Sequence, residues 1–162
     1  MRLTAPEPLT ANHDPSDFSC GNAVLDAWLK LTAQKAEGLS ARTYVVAEDQ
    51  RVAGYYSLAT GSMARSSAPG RVRRNMPDPV PVLILARLAV ATRYQGRGVG
   101  SGLLRDAFRR TLQASDIVGC RAMLLHAIDD AAVGFYRRQG FSEFPSGSQT
   151  MFLPLDTLRG SL

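Results

Sequence analysis

The run Val82-Leu-Ile-Leu-Ala-Arg-Leu-Ala-Val-Ala91 leads into Thr92-Arg-Tyr-Gln-Gly-Arg-Gly-Val-Gly-Ser-Gly102, and then into Leu103-Leu-Arg-Asp-Ala-Phe-Arg-Arg-Thr-Leu112. The first part is almost continuously apolar and of strand length, the pattern of a strand buried on both faces. The last part carries Leu103, Leu104, Ala107, Phe108, Thr111 and Leu112 along one helical face. Between them, glycines remove Cβ atoms from a strand-to-helix turn, so that successive backbone N–H groups can close around a small anion. A helix starting near Val99 adds unpaired amides and the positive end of its dipole, and Arg97 adds a charge. Two familiar glycine motifs fail here. No Lys follows any of these glycines, which excludes a Walker loop. Counting six residues from Gly96 or Gly98 ends on Ser101 or Leu103, which excludes the dinucleotide fingerprint. What remains is Gln95-x-x-Gly98-x-Gly100, which fits a pyrophosphate cradle. A tight, flexible turn without a ligand is the competing explanation.

Upstream of this core, Val24, Leu25, Trp28, Leu29 and Leu31 recur at helical spacing from Asn22 to about Ala36, ending at Gly38. Thr43–Ala47 and Val52–Ala59 read as two strands of an antiparallel hairpin, joined by a turn at Glu48–Arg51. Residues 61–81 hold Gly61, Pro69, Gly70, Pro77, Pro79 and Pro81, which should forbid long regular structure. Downstream, Arg121–Ile128 reads as a second buried strand. Asp129 and Asp130 can cap a helix from Ala131 to Gln139 that stops at Gly140. Phe141 and Thr150–Leu155 supply the last strand material. Strands followed by strand–helix–strand–helix–strand describe a mixed α/β sheet covered by helices.

The chain has 162 residues, enough for one domain, and a composition that excludes wholesale disorder: 45% hydrophobic and 20% charged. Its longest apolar run, Val82–Ala86, is too short for a membrane helix. The polar N-terminal segment lacks the apolar centre of a signal peptide. Cys20 and Cys120 stand far apart, which argues against a disulfide framework or a cysteine metal site. The expectation is a soluble, cytoplasmic protein of one domain, residues 1–162, with loosely ordered ends at 1–14 and 156–162. The net charge is +5, and 17 of the 19 cations are Arg. Arginine binds phosphate with a two-donor fork, so an anionic partner is plausible. A GC-rich genome would explain the same Arg-to-Lys ratio.

The stretch Arg87–Leu104 resembles the acyl-CoA motif of the GNAT N-acetyltransferase superfamily, and Phe135-Tyr-Arg-Arg-Gln-Gly-Phe141 resembles its second signature. Asp17-Phe-Ser-Cys-Gly-Asn-Ala-Val-Leu-Asp-Ala-Trp-Leu29 is similar to the opening of the acetyltransferase toxins of bacterial toxin–antitoxin pairs. Arg73–Pro81 and His126–Asp130 are similar to further segments of that group. The resemblance implies a single-domain α/β GNAT fold, a mixed sheet flanked by helices with a splayed acyl-CoA-binding strand pair, and no metal. It implies acetyl-CoA as co-substrate, aminoacyl-tRNA as acceptor, a blocked translation, a homodimer and a ribbon-helix-helix antitoxin. On it, Leu88, Ala89 and Val90 pair with the pantetheine arm, and an amide of Leu88 or Val90 donates to the acetyl oxygen. Gln95, Gly96, Arg97, Gly98, Val99, Gly100 and Ser101 hold the pyrophosphate. Asp129 stands near the pantetheine, where helix capping explains it equally well. Tyr136 is the general acid.

Residues 80–100 contain no acid to act as a base. A lysine amine, with a pKa of about 10.4, would need one. An α-amine at about 7.7–8.0 is already largely neutral, so this absence favours an α-amine acceptor unless Glu48 or a water serves as base. Arg42, Arg65, Arg71, Arg73 and Arg74 are candidates to line a path for tRNA, with an ordinary solvated surface as the alternative. His126 reads as a packing residue on its strand and Trp28 as a core anchor. Acetylation of a protein N-terminus or small amine, or acyl-CoA binding without turnover, are the rival functions.

Overall fold

A computed structural model describes residues 2–145 and 147–161. In chain order its elements are β1 (Glu7–Pro8), α1 (Ala23–Leu31), α2 (Ala33–Ala36), β2 (Arg42–Glu48), β3 (Arg51–Met63), α3 (Gly70–Arg73), β4 (Val80–Val90), α4 (Val99–Ser115), β5 (Ala122–His126), α5 (Asp130–Arg138), β6 (Ser142–Glu143), β7 (Thr150–Pro154) and α6 (Leu155–Ser161). The strands of the described residues form one mixed sheet in the order β1-β2-β3-β4-β5-β7-β6. Strands β4 and β5 run parallel, as expected of a strand–helix–strand crossover, whereas β1–β2, β2–β3, β5–β7 and β6–β7 pair antiparallel. Contacts group the chain into two compact units, Met1–Ala59 with Ala86–Ala107, and Thr60–Leu85 with Phe108–Leu162.

In the first unit, Asp49 and Gln50 take positive φ, and Glu48 pairs with Arg51. The β2–β3 hairpin therefore closes on a two-residue turn, tighter than the expected four. Asn22 caps α1, its side chain accepting from the amides of Val24 and Leu25 at 3.0 and 3.1 Å. The expected single helix breaks at Thr32, whose φ and ψ leave the helical region, and α2 follows as a separate turn. Leu29 buries against this unit's core with Phe18, Val45, Val52, Tyr55 and Leu103.

In the second unit, residues expected to be irregular are partly ordered. Strand β3 runs on to Met63 with alternating burial, and at Gly61 the Ile84 side chain lies where a Cβ would be, so a larger residue there would make Ile84 shift. The segment after it folds onto the sheet. Ala68, Val72 and Val80 join Val82, Ala122, Leu124 and Phe152 in one cluster. Val72 is the pin: α3 buries it completely while Arg71, Arg73 and Arg74 stay exposed.

The ends of the chain are also more ordered than expected. Glu7 and Pro8 pair with Val45 and Tyr44, and the Leu9 N–H donates to the Thr43 carbonyl at 2.9 Å. Helix α6 buries Leu155 and Leu158. Each end thus supplies apolar side chains and finds backbone or core partners, which is sufficient for order; Met1 and Leu162 lie outside the described residues.

Replacing Val72 by Ala should destabilise the protein by about 2 kcal/mol, since two buried methyl groups are lost. Urea unfolding of wild type and variant measures this, and a change below ~0.5 kcal/mol would mean that Val72 does not pin α3.

Candidate active site

Strand β4 changes character along its length. Val80–Leu85 is mostly buried, and the parallel register with β5 runs from Val82↔Ala122 to Ile84↔Leu124. Beyond it Ala86 is exposed and Arg87, Leu88 and Val90 are half-buried. Burial on both faces therefore holds only for the first half, and the strand opens at the residues expected to meet an acyl carrier. The Arg87 guanidinium stacks on Trp28 at 3.8 Å from the ring centre, and Trp28 stacks in turn on Tyr55. Trp28 is thus a half-buried link between α1 and β4 rather than a core anchor.

After β4 a short 3-10 turn, Thr92–Tyr94, leads into the glycines. Gly96 and Gly98 have φ of 77° and 81°, the left-handed region that favours glycine, and a Cβ on either would meet nothing within 4 Å. Open space therefore lies over a backbone that only glycine adopts without strain. The first hydrogen bond of α4 joins the Gly102 N–H to the Gly98 carbonyl at 3.0 Å. The amides of Val99 and Gly100 precede it at the start of the helix, where backbone donors have no partner one turn back. This backbone fits a diphosphate such as that of acetyl-CoA.

Gln95 behaves differently from its neighbours. Its side-chain amide donates to the carbonyls of Val90 at 2.8 Å and Cys20 at 3.1 Å, so both of its N–H groups point into the protein. Tyr94 is buried, and its hydroxyl donates to Glu48 in a short hydrogen bond. That bond and the Arg2 amide hold the Glu48 carboxyl below the ordinary carboxylate range, and the same bond to Glu48 raises the Tyr94 phenol. Glu48, the one acid considered as a base from the sequence, is therefore a structural acceptor with a weakened hold on protons. The role of Tyr94 was not legible in the sequence, because a hydrogen bond to a side chain 46 residues away leaves no mark on residue identity.

The remaining candidates lie in the second unit. Tyr136 sits on the inner face of α5, 8% exposed, with its ring edge-on to Phe135 and Phe141. Among the described residues its hydroxyl makes no hydrogen bond, and burial alone pushes the phenol well above its usual range. It keeps its proton throughout the neutral range. Asp129 caps α5, accepting from the Ala132 amide at 2.8 Å, so its carboxylate already has a structural partner. His126 is exposed, not packed; it ends β5 and bonds Thr150 Oγ1 at 2.8 Å through Nδ1. A strand end loses the cover of its neighbours, and this reverses the expectation.

The arginines divide by environment. Arg42 belongs to the first unit and pairs with Glu37 at 3.4 Å. Arg71 donates to Thr157 Oγ1 at 2.7 Å, and Arg121 donates to the Arg71 carbonyl at 2.8 Å, so both tie α3 to its surroundings. Arg65, Arg73 and Arg74 are exposed and make no ion pair among the described residues. The structure thus gathers three of the five expected arginines as free cations on one loop.

Comparison with known proteins adds an independent line. Residues 40–143 match the model of the acetyltransferase (GNAT) domain family. A Mycobacterium tuberculosis protein named tRNA-acetylating toxin is 46% identical over 158 residues, covering 96% of this chain and 95% of the relative. The solved structure of AtaT complexed with acetyl-methionyl-tRNAfMet superposes with a TM-score of 0.87 at 26% identity, over 98% of each chain. A tyrosine-to-phenylalanine mutant of the AtaT toxin, bound to the C-terminus of the antitoxin AtaR, gives 0.82 at 25% identity, over 98% of this chain and 96% of the other.

The Glu48–Tyr94 bond makes a pH prediction. A depressed carboxylate stabilises the fold fully above its unfolded pKa of about 4.3, and that contribution disappears as pH falls through the lower folded value. Replacing Tyr94 by Phe should return the Glu48 titration, followed by NMR, towards about 4.3. An unmoved titration would show that Tyr94 is not what holds it down.

Proposed function

This chain belongs to the GNAT acetyltransferase family, and we propose that it transfers the acetyl group of acetyl-CoA to the α-amino group of aminoacyl-tRNA and so blocks translation as a toxin. The observation that carries this reading is the likeness to a named tRNA-acetylating toxin over nearly the whole of both chains. The residues agree with it. Residues 80–100 hold no acid, and Glu48 is engaged by Tyr94, which suits an acceptor that needs little help to lose its proton.

Acetyl-CoA, when bound, supplies a thioester carbon open to attack by an amine. The glycine turn and the start of α4, Gly96 to Ser101, hold its diphosphate, with Arg97 adding charge. The backbone of Leu88, Ala89 and Val90, beyond the β5 ladder, pairs with the pantetheine amides, and Leu88 or Val90 donates to the acetyl oxygen. The neutral amine attacks the thioester carbon, the C–N bond forms and the C–S bond breaks, Tyr136 donates a hydrogen bond to the departing CoA thiolate, and the proton lost by the amine passes to water. A phenol is a weaker acid than a thiol of pKa about 8.5, so the hydrogen bond acts as charge develops rather than by prior proton transfer. Asp129 reaches the pantetheine only from its place as a helix cap. Arg65, Arg73 and Arg74 meet the acceptor-stem phosphates, with Arg42 and Arg71 contributing less because each has a protein partner.

Residues 1–162 act as one acetyltransferase domain in this proposal, and the protein works as a homodimer. A ribbon-helix-helix antitoxin neutralises it, a reading supported by the antitoxin-bound AtaT structure. Its substrate puts the activity in the cytoplasm, and among the described residues no helix is long and apolar enough to cross a membrane.

Purified protein, labelled acetyl-CoA and charged total tRNA should give label in the tRNA fraction, released by mild alkali as N-acetyl amino acid. Label only in added protein or small amines would overturn the acceptor assignment. Tyr136→Phe should lower kcat by about a hundredfold with an unchanged unfolding midpoint, because the hydroxyl has no structural partner. Full activity in that variant would remove Tyr136 from the mechanism. Joint replacement of Arg65, Arg73 and Arg74 by Ala should raise KM for tRNA and flatten the dependence of log KM on log salt by about 2. Affinity for CoA should stay unchanged, and an unaltered salt slope would exclude these arginines as phosphate contacts.

A further inference from the structure

The segment Phe18-Ser-Cys-Gly21 lies outside every role assigned so far, yet it touches the cofactor turn twice. The Ser19 carbonyl accepts from the Thr92 amide at 2.8 Å, and the Cys20 carbonyl accepts from the Gln95 side chain at 3.1 Å. The segment is itself fixed at three points. Phe18 is 1% exposed and packs edge-on to Tyr55. The Cys20 amide donates to Asp26 Oδ1 at 2.9 Å, one turn into α1. Gly21 turns the chain with φ of 92°, directly before the Asn22 cap.

Gln95 completes the link by donating at the same time to the Val90 carbonyl at 2.8 Å. One side-chain amide therefore joins the end of β4, the turn that follows it and the segment leading into α1. At its other end the open half of β4 is tied to α1 again, through the Arg87–Trp28 stack. We propose that residues 18–22 form a strap that fixes the glycine turn in its cofactor-binding conformation, and that Gln95 is a positioning residue acting through this strap rather than a contact to the diphosphate. This rests on the acyl-CoA site argued above, though not on the identity of the acceptor.

The chemistry supports a positioning role. A side-chain amide carries two N–H donors, and both are engaged by protein carbonyls, leaving its oxygen as the free end. An oxygen acceptor has no attraction for a diphosphate. The glycines at 96 and 98 bring no side chains of their own to fix the turn, so its order must come from the residues before it and from what they grip.

Gln95→Met keeps the length of the side chain and removes both donors. It should raise the calorimetric Kd for CoA about tenfold, raise KM for acetyl-CoA in parallel and leave kcat within about twofold. In the ligand-free protein it should also speed amide hydrogen exchange at residues 18–22 and 92–98, which loss of a direct ligand contact would not do. Asp26 supplies a second test from the far side of the strap. Asp26→Ala, which frees the Cys20 amide, should weaken CoA binding several-fold, and Asp26→Asn, which keeps an acceptor oxygen, should restore it. Weakened CoA binding by Gln95→Met with unchanged exchange at 18–22 would overturn the proposal in favour of direct contact. Unchanged CoA affinity in Gln95→Met or Asp26→Ala would overturn it outright. CoA binding is read without tRNA, so failure here is distinct from failure of the proposed acceptor.

Discussion

The two hydrogen bonds from the Gln95 amide to the carbonyls of Val90 and Cys20 set the terms for the first unit. A turn rich in glycine exposes its backbone to an anion, but it also loses more conformational freedom on ordering than any other sequence would. Something outside the glycines has to supply the order. Tyr94 does so from one side by gripping Glu48, and Thr92 and Gln95 from the other by gripping residues 19 and 20. Each grip uses a donor next to the turn and an acceptor far away in sequence, so the turn is held by the fold and not by itself.

The second unit faces the opposite problem. Tyr136 is buried, yet among the described residues its hydroxyl makes no hydrogen bond. Two aromatic rings accomplish this by packing edge-on to the phenol without offering it a hydrogen-bond partner. An apolar cage is the simplest way to raise a phenol's pKa while leaving its O–H free to donate.

Charge is organised by the same economy of partners. The chain carries a surplus of arginine, and much of it is structural: Arg71, Arg121, Arg137 and Arg159 each donate to a named carbonyl, hydroxyl or carboxylate within the second unit. What distinguishes Arg65, Arg73 and Arg74 is the apolar pin beneath them. Val72 commits the loop to the sheet, and while Arg71 beside it reaches Thr157, Arg65, Arg73 and Arg74 stay exposed.

The sequence by itself determined the strand–turn–helix order around Gly96–Gly102, the β2–β3 hairpin, the Asp129 cap and the candidacy of Tyr136. These depend on periodicity, on glycine, and on residues whose chemistry acts over three or four positions. It misjudged Gly61, read as a breaker, because what occupies the space beside that glycine is the Ile84 side chain of another strand. It misplaced His126 as packed, because burial at a strand end depends on neighbours that no local pattern names. It could not tell that the Gln95 amide donates to the carbonyls of Val90 and Cys20. Tertiary structure alone decided which carbonyls, which carboxylate and which rings lie within reach, since hydrogen bonds and burial are set by distance in space, and residues 19 and 92, or 48 and 94, share no signal along the chain.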